Sequence, residues 1–187
     1  MTGVQTCALP IFALPVPDDV ADELIGLQSG VPDARWIAPE NFHVTLCFAG
    51  EVQGGTMRDL EEELGDIATS RFPMGIAGVE QFSSGKQPRA LVALVENNER
   101  LDRLQQKVST VARNCGIEIE RRKFRPHVTL ARFSDGAETG HHIAQFMASH
   151  STFRAGPWLA DHFALYSSRA GGNGRIYTEE AAYDLGF

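Results

Sequence analysis

The sequence predicts an α+β protein of two pseudo-symmetric lobes, each a mostly antiparallel sheet with outer helices, around a central cleft. Three observations carry that expectation. The tetrapeptide His-Val-Thr-Leu occurs at 43–46 and again at 127–130, 84 residues later. Matching strand-like and helix-like patterns flank both copies. The chain has 187 residues, 43% hydrophobic and 22% charged, which suits one unit with a buried core rather than several independent domains.

In the first half, Ile11 to Val16 reads as a strand. Val20, Leu24 and Leu27 then recur on one face of a helix starting near Asp18. After the first motif strand, Thr56 with Asp59 three residues on reads as an N-cap, opening a helix that carries Met57, Leu60, Leu64 and Ile67. A strand is expected at Met74–Phe82. In the second half, Ala90 to Val95 reads as a strand. Leu101, Leu104, Val108 and Val111 mark a helix after Asn97-Asn98. Another strand is expected at Glu118–Phe124, before the second motif. A weaker helix over about 138–149 carries Ile143, Phe146 and Met147. Phe163–Ser168 and a strand from Arg175 flank the turn cluster Gly171-Gly172-Asn173-Gly174 and read as a hairpin. No Pro/Gly/Ser-rich linker divides the chain.

Charge and composition narrow the function. Asp and Glu number 24 against 17 Lys and Arg, a net charge of −7. Such a chain is a poor non-specific nucleic-acid coat, because that binding rests on cations neutralising phosphates. A nucleotide held in a local basic cleft stays open. The longest apolar run, Ala8 to Val16, contains two prolines and falls far short of the about 20 residues of a membrane span. Three cysteines cannot make a disulfide scaffold and suit a reducing, cytoplasmic setting. No Lys or Arg precedes Arg35, so a secretory signal is not expected. The stretch TGVQTCALPI (2–11) resembles the translation of a sequencing-library adapter. Residues 1–11 are therefore expected to be a foreign extension, and 12–187 a single bilobal domain. Pro10 cannot donate to a strand ladder.

The repeated motif carries the chemistry. Alternation along a strand puts His43 and Thr45 on one face and Val44 and Leu46 on the other. His127 and Thr129 oppose Val128 and Leu130 in the same way. A pseudo-twofold axis would bring the two His/Thr pairs together across the cleft. Two imidazoles beside one reacting atom form an acid/base couple, since both protonation states coexist near neutrality. The threonine hydroxyls can bond phosphoryl oxygens. This arrangement suits in-line displacement at phosphorus without a metal. No HExxH or CxxC is present, and His-x-Thr offers one good ligand only. His141, His142, His150 and His162 do not repeat between the halves and read as solvated.

WIAPENFHVTLCFAGEV (36–52) and KFRPHVTLARF (123–133) resemble the two HxTx motifs of the 2H phosphoesterase superfamily, and within it the RNA 2′,3′-cyclic phosphodiesterases also called 2′-5′ RNA ligases. The resemblance runs from Phe12 to the C-terminus, including the Phe-x-Leu-Tyr-Ser-Ser run at 163–168. It implies a bilobal fold and hydrolysis of a terminal 2′,3′-cyclic phosphate to a 2′-phosphate, without metal or nucleotide cofactor. By motif order it implies that His43 is the proton donor and His127 the acceptor. It makes Thr45 and Thr129 phosphate contacts, and Arg132 a phosphate or nucleobase contact. Phe48, at the pseudo-equivalent position, can stack on a base. Strand parity objects to the last two, because an offset of five puts Phe48 and Arg132 on the face opposite the histidines unless a bulge redirects them. For Phe48 a core position beneath the sheet is an equal reading.

Arg121, Arg122, Lys123 and Arg125 crowd before the second histidine, either as an anion site or as a charged strand edge. The expected partners are RNA ends or small cyclic nucleotides, with no membrane and a monomeric chain. Three alternatives stay open: another small cyclic phosphate as substrate, ATP-independent 2′-5′ joining, and an RNA-end binding module without turnover. ATP-dependent ligation is disfavoured, because none of the lysines Lys86, Lys107 and Lys123 starts a Lys-x-Asp-Gly motif.

Overall fold

The computed structural model describes residues 10–49, 54–119, 123–136, 139–171 and 174–186. Nine strands and four α-helices are present among them. In chain order they are β1 (Ile11–Pro15), α1 (Asp18–Ile25), β2 (Arg35–Trp36), β3 (His43–Phe48), α2 (Gly54–Gly65), β4 (Phe72–Ser84), β5 (Gln87–Val95), α3 (Glu99–Asn114), β6 (His127–Arg132), α4 (Gly140–Ser149), β7 (Arg154–Ala160), β8 (His162–Gly171) and β9 (Gly174–Asp184). A 3₁₀ turn over Pro39–Asn41 leads into β3.

The strands hydrogen-bond along one path, β7-β4-β5-β6-β3-β1-β8-β9, with β2 added to β6. Every named pairing is antiparallel. The path divides into β6-β5-β4-β7 and β3-β1-β8-β9, joined at the centre by the pairing of Val44 with Val128. In that register His43 lies across from Thr129, and Thr45 from His127. The pseudo-twofold axis therefore passes through the two motifs.

Each lobe draws on both halves of the sequence. Strand β4 follows the first motif but pairs with β5, and β8 follows the second motif but pairs with β1. Two helices cross in the same sense: α3 packs on β3 and α1 on β7, whereas α4 packs on β4, in the lobe of its own motif strand β6. Amphipathicity explains the helices themselves. Leu101, Leu104, Val108 and Ala112 of α3 are all fully buried, and Asn98 caps its start, accepting from the amides of Arg100 and Leu101. Val20 and Leu24 of α1 face the core likewise. Each such leucine or valine contributes about 1.5–3 kcal/mol of burial.

Some sequence expectations need correction. The described residues of Glu118–Phe124 form no strand: Ile119 makes only an isolated bridge to Ala49, Lys123 and Phe124 are irregular, and 120–122 lie outside the described residues. Helix α2 begins at Gly54, two residues before Thr56. Strand β7 was not expected, because Pro157 interrupts its pattern. It is an edge strand pairing only with β4, and its register shifts between Met74 and Ile76, opposite Gly156 and Pro157, so the missing amide is tolerated. Ile11 belongs to β1, and the Pro10 carbonyl accepts from the Ala49 amide at 3.0 Å. Residues 1–9 lie outside the described residues, as do Arg121 and Arg122. No described helix is long and apolar enough to cross a membrane.

Candidate active site

The two motif strands share one burial pattern. His43, Thr45, His127 and Thr129 are half-buried, whereas Val44, Leu46, Val128 and Leu130 are buried. Both strands also carry a bulge at the same place. Against β1, Phe12 pairs with Cys47 and Ala13 with Thr45, leaving Leu46 as the extra residue. Against β5, Leu91 pairs with Ala131 and Val92 with Thr129, leaving Leu130. The motif leucine is the bulged residue in each half. The Leu130 carbonyl is bound by the Ile37 amide at 2.9 Å and the Gln28 side-chain amide at 3.4 Å.

An extra residue reverses the alternation. It brings Phe48 and Arg132 to the His/Thr face, which simple parity denied them. Phe48 is 44% exposed rather than a core aromatic. Phe48, Arg132, Thr45, Thr129 and His127 line one groove of about 640 Å³. Arg89, Lys123 and Arg125 also line it, making it the basic side of the cleft. Cys47 lies at its floor, and burial pushes that thiol up to about 12 despite a hydrogen bond to Ser109, so it stays protonated and inert.

His43 stands at the other side of this face. It borders a second hollow of about 600 Å³ with Tyr166, Tyr177 and the acidic Asp18, Asp22 and Glu40. Arg132 and His127 both act electrostatically on it, so it lies within electrostatic reach of the groove residues.

Both imidazoles are held in the same way. His43 Nδ1 is 2.7 Å from the Asn41 carbonyl, and His127 Nδ1 is 2.6 Å from the Arg125 carbonyl. A carbonyl only accepts, so each Nδ1 carries the hydrogen and proton exchange falls to Nε2. An aromatic ring backs each: Phe82 lies edge-on to His127 at 4.7 Å between centroids, and Tyr177 edge-on to His43 at 4.8 Å. Tyr166 stacks on His43 at 6.5 Å. Burial lowers the His43 pKa to about 4, and Arg132 and His127 add repulsion, against the opposing effect of the Asn41 hydrogen bond. His43 is therefore neutral near pH 7.

The aromatics behind the histidines escaped the motif-centred reading, although the sequence signals them. Phe82-Ser83-Ser84 recurs as Tyr166-Ser167-Ser168, again 84 residues apart. The register agrees: Ala90 pairs with Phe82 and Arg132, as Ile11 pairs with Tyr166 and Phe48. His141 and His142 are exposed on α4, 5.8 Å apart. His150 bonds the Phe146 carbonyl, and His162 bonds Asp161. Among the described residues no group of His, Cys, Asp or Glu is placed to hold a metal ion.

The model of the family described as LigT like phosphoesterase matches the chain twice, over residues 14–92 and 92–177. The RNA 2′,3′-cyclic phosphodiesterase of Bacillus subtilis is 28% identical over 162 residues, 83% of this chain and 85% of that protein. The protein of the same name from Archaeoglobus fulgidus is 25% identical over 175 residues, 92% of this chain and 97% of that one. The crystal structure of E. coli LigT complexed with 3′-AMP has the same fold, with a TM-score of 0.79 over 95% of this chain and 98% of that one, at 23% identity. Two consecutive family matches, meeting between the two motifs and spanning most of the chain, establish that this protein belongs to the LigT-like phosphoesterases.

Proposed function

We propose that the protein hydrolyses 2′,3′-cyclic phosphate ends of RNA to 2′-phosphomonoesters, with His43 as general acid and His127 as general base. The observation that carries this reading is the paired presentation of the two imidazoles. Each has Nδ1 tied to the carbonyl two residues upstream, and each shares its strand face with a threonine. The relatives named RNA 2′,3′-cyclic phosphodiesterase supply the substrate class.

Opening the ring toward a 2′-phosphate breaks the bond from phosphorus to the 3′-oxygen. That alkoxide leaves well only if it is protonated as it departs. The attacking water loses its proton on the opposite side of phosphorus, so in-line displacement needs one imidazole on each side. Thr45, Thr129 and Arg132 hold the non-bridging oxygens and the charge that builds on them. Phe48 offers a face on which a terminal base stacks. Burial disfavours the charged form of His43, and a phosphodiester anion beside the ring favours it. No metal or nucleotide cofactor takes part in this scheme.

The test is turnover of a short RNA ending in a 2′,3′-cyclic phosphate, with and without EDTA, and identification of the product by ³¹P NMR. The expected result is an EDTA-resistant 2′-phosphate. A 3′-phosphate product would overturn the regiochemistry. Activity lost to chelation and restored by zinc or manganese would overturn the acid/base assignment.

A further inference from the structure

The two halves fix their histidines by different means. In the first half the carbonyl that receives His43 Nδ1–H belongs to Asn41, the last residue of the 3₁₀ turn. Backbone bonds from Asn41 to Ala38 and from Phe42 to Pro39, each 2.9 Å, hold that turn. The corresponding residue in the second half is Arg125, 84 positions later, and the described residues 123–126 around it have no regular structure. The neighbouring Pro126 carbonyl accepts from the Val95 amide at 3.1 Å, and the Arg125 side chain is fastened as well. The Arg125 guanidinium donates to Glu80 Oε2 at 2.6 Å and lies over the Phe82 ring at 4.9 Å from the centroid. Phe82 in turn meets the His127 ring at 4.7 Å.

We infer that Glu80 is a positioning residue for His127, acting through Arg125 and Phe82. The carboxylate on β4 holds the guanidinium against the aromatic ring. That keeps the Arg125 backbone carbonyl where His127 Nδ1–H meets it, and keeps Phe82 against the imidazole. Glu80 thus does with a side-chain ion pair what the 3₁₀ turn does for His43. Geometry of this kind matters because small displacements of a proton-transferring group cost large factors in rate. The pair is half-exposed, at 49% and 36% for the two side chains, so it adds little to global stability. This inference rests on His127 being one of the two catalytic imidazoles.

The experiment compares Glu80→Gln, Arg125→Met and the double variant in turnover of the cyclic-phosphate RNA, with ¹⁵N NMR of His127 in the same proteins. The expected result is a kcat lower by about tenfold in each single variant, with no further loss in the double, because both break one linkage. KM should stay within about twofold. The His127 ¹⁵N shifts should move from the Nδ1–H tautomer toward a mixture. Melting temperatures should fall by less than about 4 °C, separating mispositioning from unfolding. An unchanged kcat in Glu80→Gln, or unmoved His127 shifts, would overturn the inference. So would a rise in KM confined to Arg125→Met, which would make Arg125 a direct phosphate contact. A wild-type protein without turnover on this RNA would be a failure of the functional reading, and the ¹⁵N shifts would still decide the positioning role.

Discussion

The half-buried His43 should make the protein measurably less stable in mild acid, by an amount its pKa fixes. The imidazole titrates at about 4 in the folded chain and at about 6.5 in the unfolded one. Between those values the unfolded chain holds the proton and the folded chain does not, so stability falls as pH falls through that window. From about pH 7.5 to about pH 4.5 the loss integrates to about 2.5 kcal/mol. His43→Asn removes the titration while leaving an amide able to donate to the Asn41 carbonyl. Urea unfolding of both proteins at the two pH values isolates the contribution, since all other titrating groups cancel in the difference. The stability gap between variant and wild type should move by about 2–3 kcal/mol in favour of the variant at the lower pH. Direct titration of the His43 ring protons by NMR should give a midpoint near 4. A gap that stays constant within about 0.5 kcal/mol, or a midpoint in the ordinary histidine range, would refute the argument that the tyrosine-lined hollow desolvates this ring.

Three further outcomes follow from the same geometry. One limb of the kcat/KM profile should fall near pH 4, placing the optimum on the acid side of that expected for two ordinary imidazoles, and the corresponding limb of the kcat profile should lie higher, because bound phosphodiester favours the charged ring; coincident limbs would contradict it. His43→Ala and His127→Ala should each lose about 10²–10⁴-fold in turnover; a substrate with sulfur at the bridging 3′ position should largely rescue the first and not the second, and the reverse pattern would exchange acid and base. Ile11→Ala, at a residue 2% exposed that pairs with both Phe48 and Tyr166, should cost about 2–4 kcal/mol by denaturant unfolding, whereas a change below about 1 kcal/mol would argue that β1 contributes little at its first residue.

The sequence made the two motif strands easier to read than the architecture around them. His43 and His127 were legible because an identical tetrapeptide recurs, and alternation around them gave the right faces for Thr45 and Thr129. Phe48 and Arg132 were ambiguous because parity counts residues, and a bulge at Leu46 or Leu130 changes the count without altering the composition. Both leucines are buried, as parity also predicts, so nothing in the pattern marks them as bulged. Glu118–Phe124 is apolar enough at Ile119 and Phe124 to read as a strand, but among its described residues only Ile119 bridges another segment. The exchange of helices between lobes was not legible at all. The apolar stripe of α3 states that one face is buried, and is silent on whether β3 or β6 lies beneath it.

That exchange bears on how such a chain can arise. A half-length chain carrying β1, α1, β3, α2 and β4 would hold a histidine strand but could not roof its own sheet, since α1 covers the opposite lobe. Two copies would have to trade helices and edge strands, as in a domain-swapped pair, and would pair their motif strands about a true dyad. Joining the copies in one chain converts an association that depends on concentration into one that does not. It also frees the two histidines to diverge, because a dyad would force the same environment and the same protonation behaviour on both. The ring buried between two tyrosines on one side, and the ring held by an ion pair on the other, are differences only a fused chain can sustain.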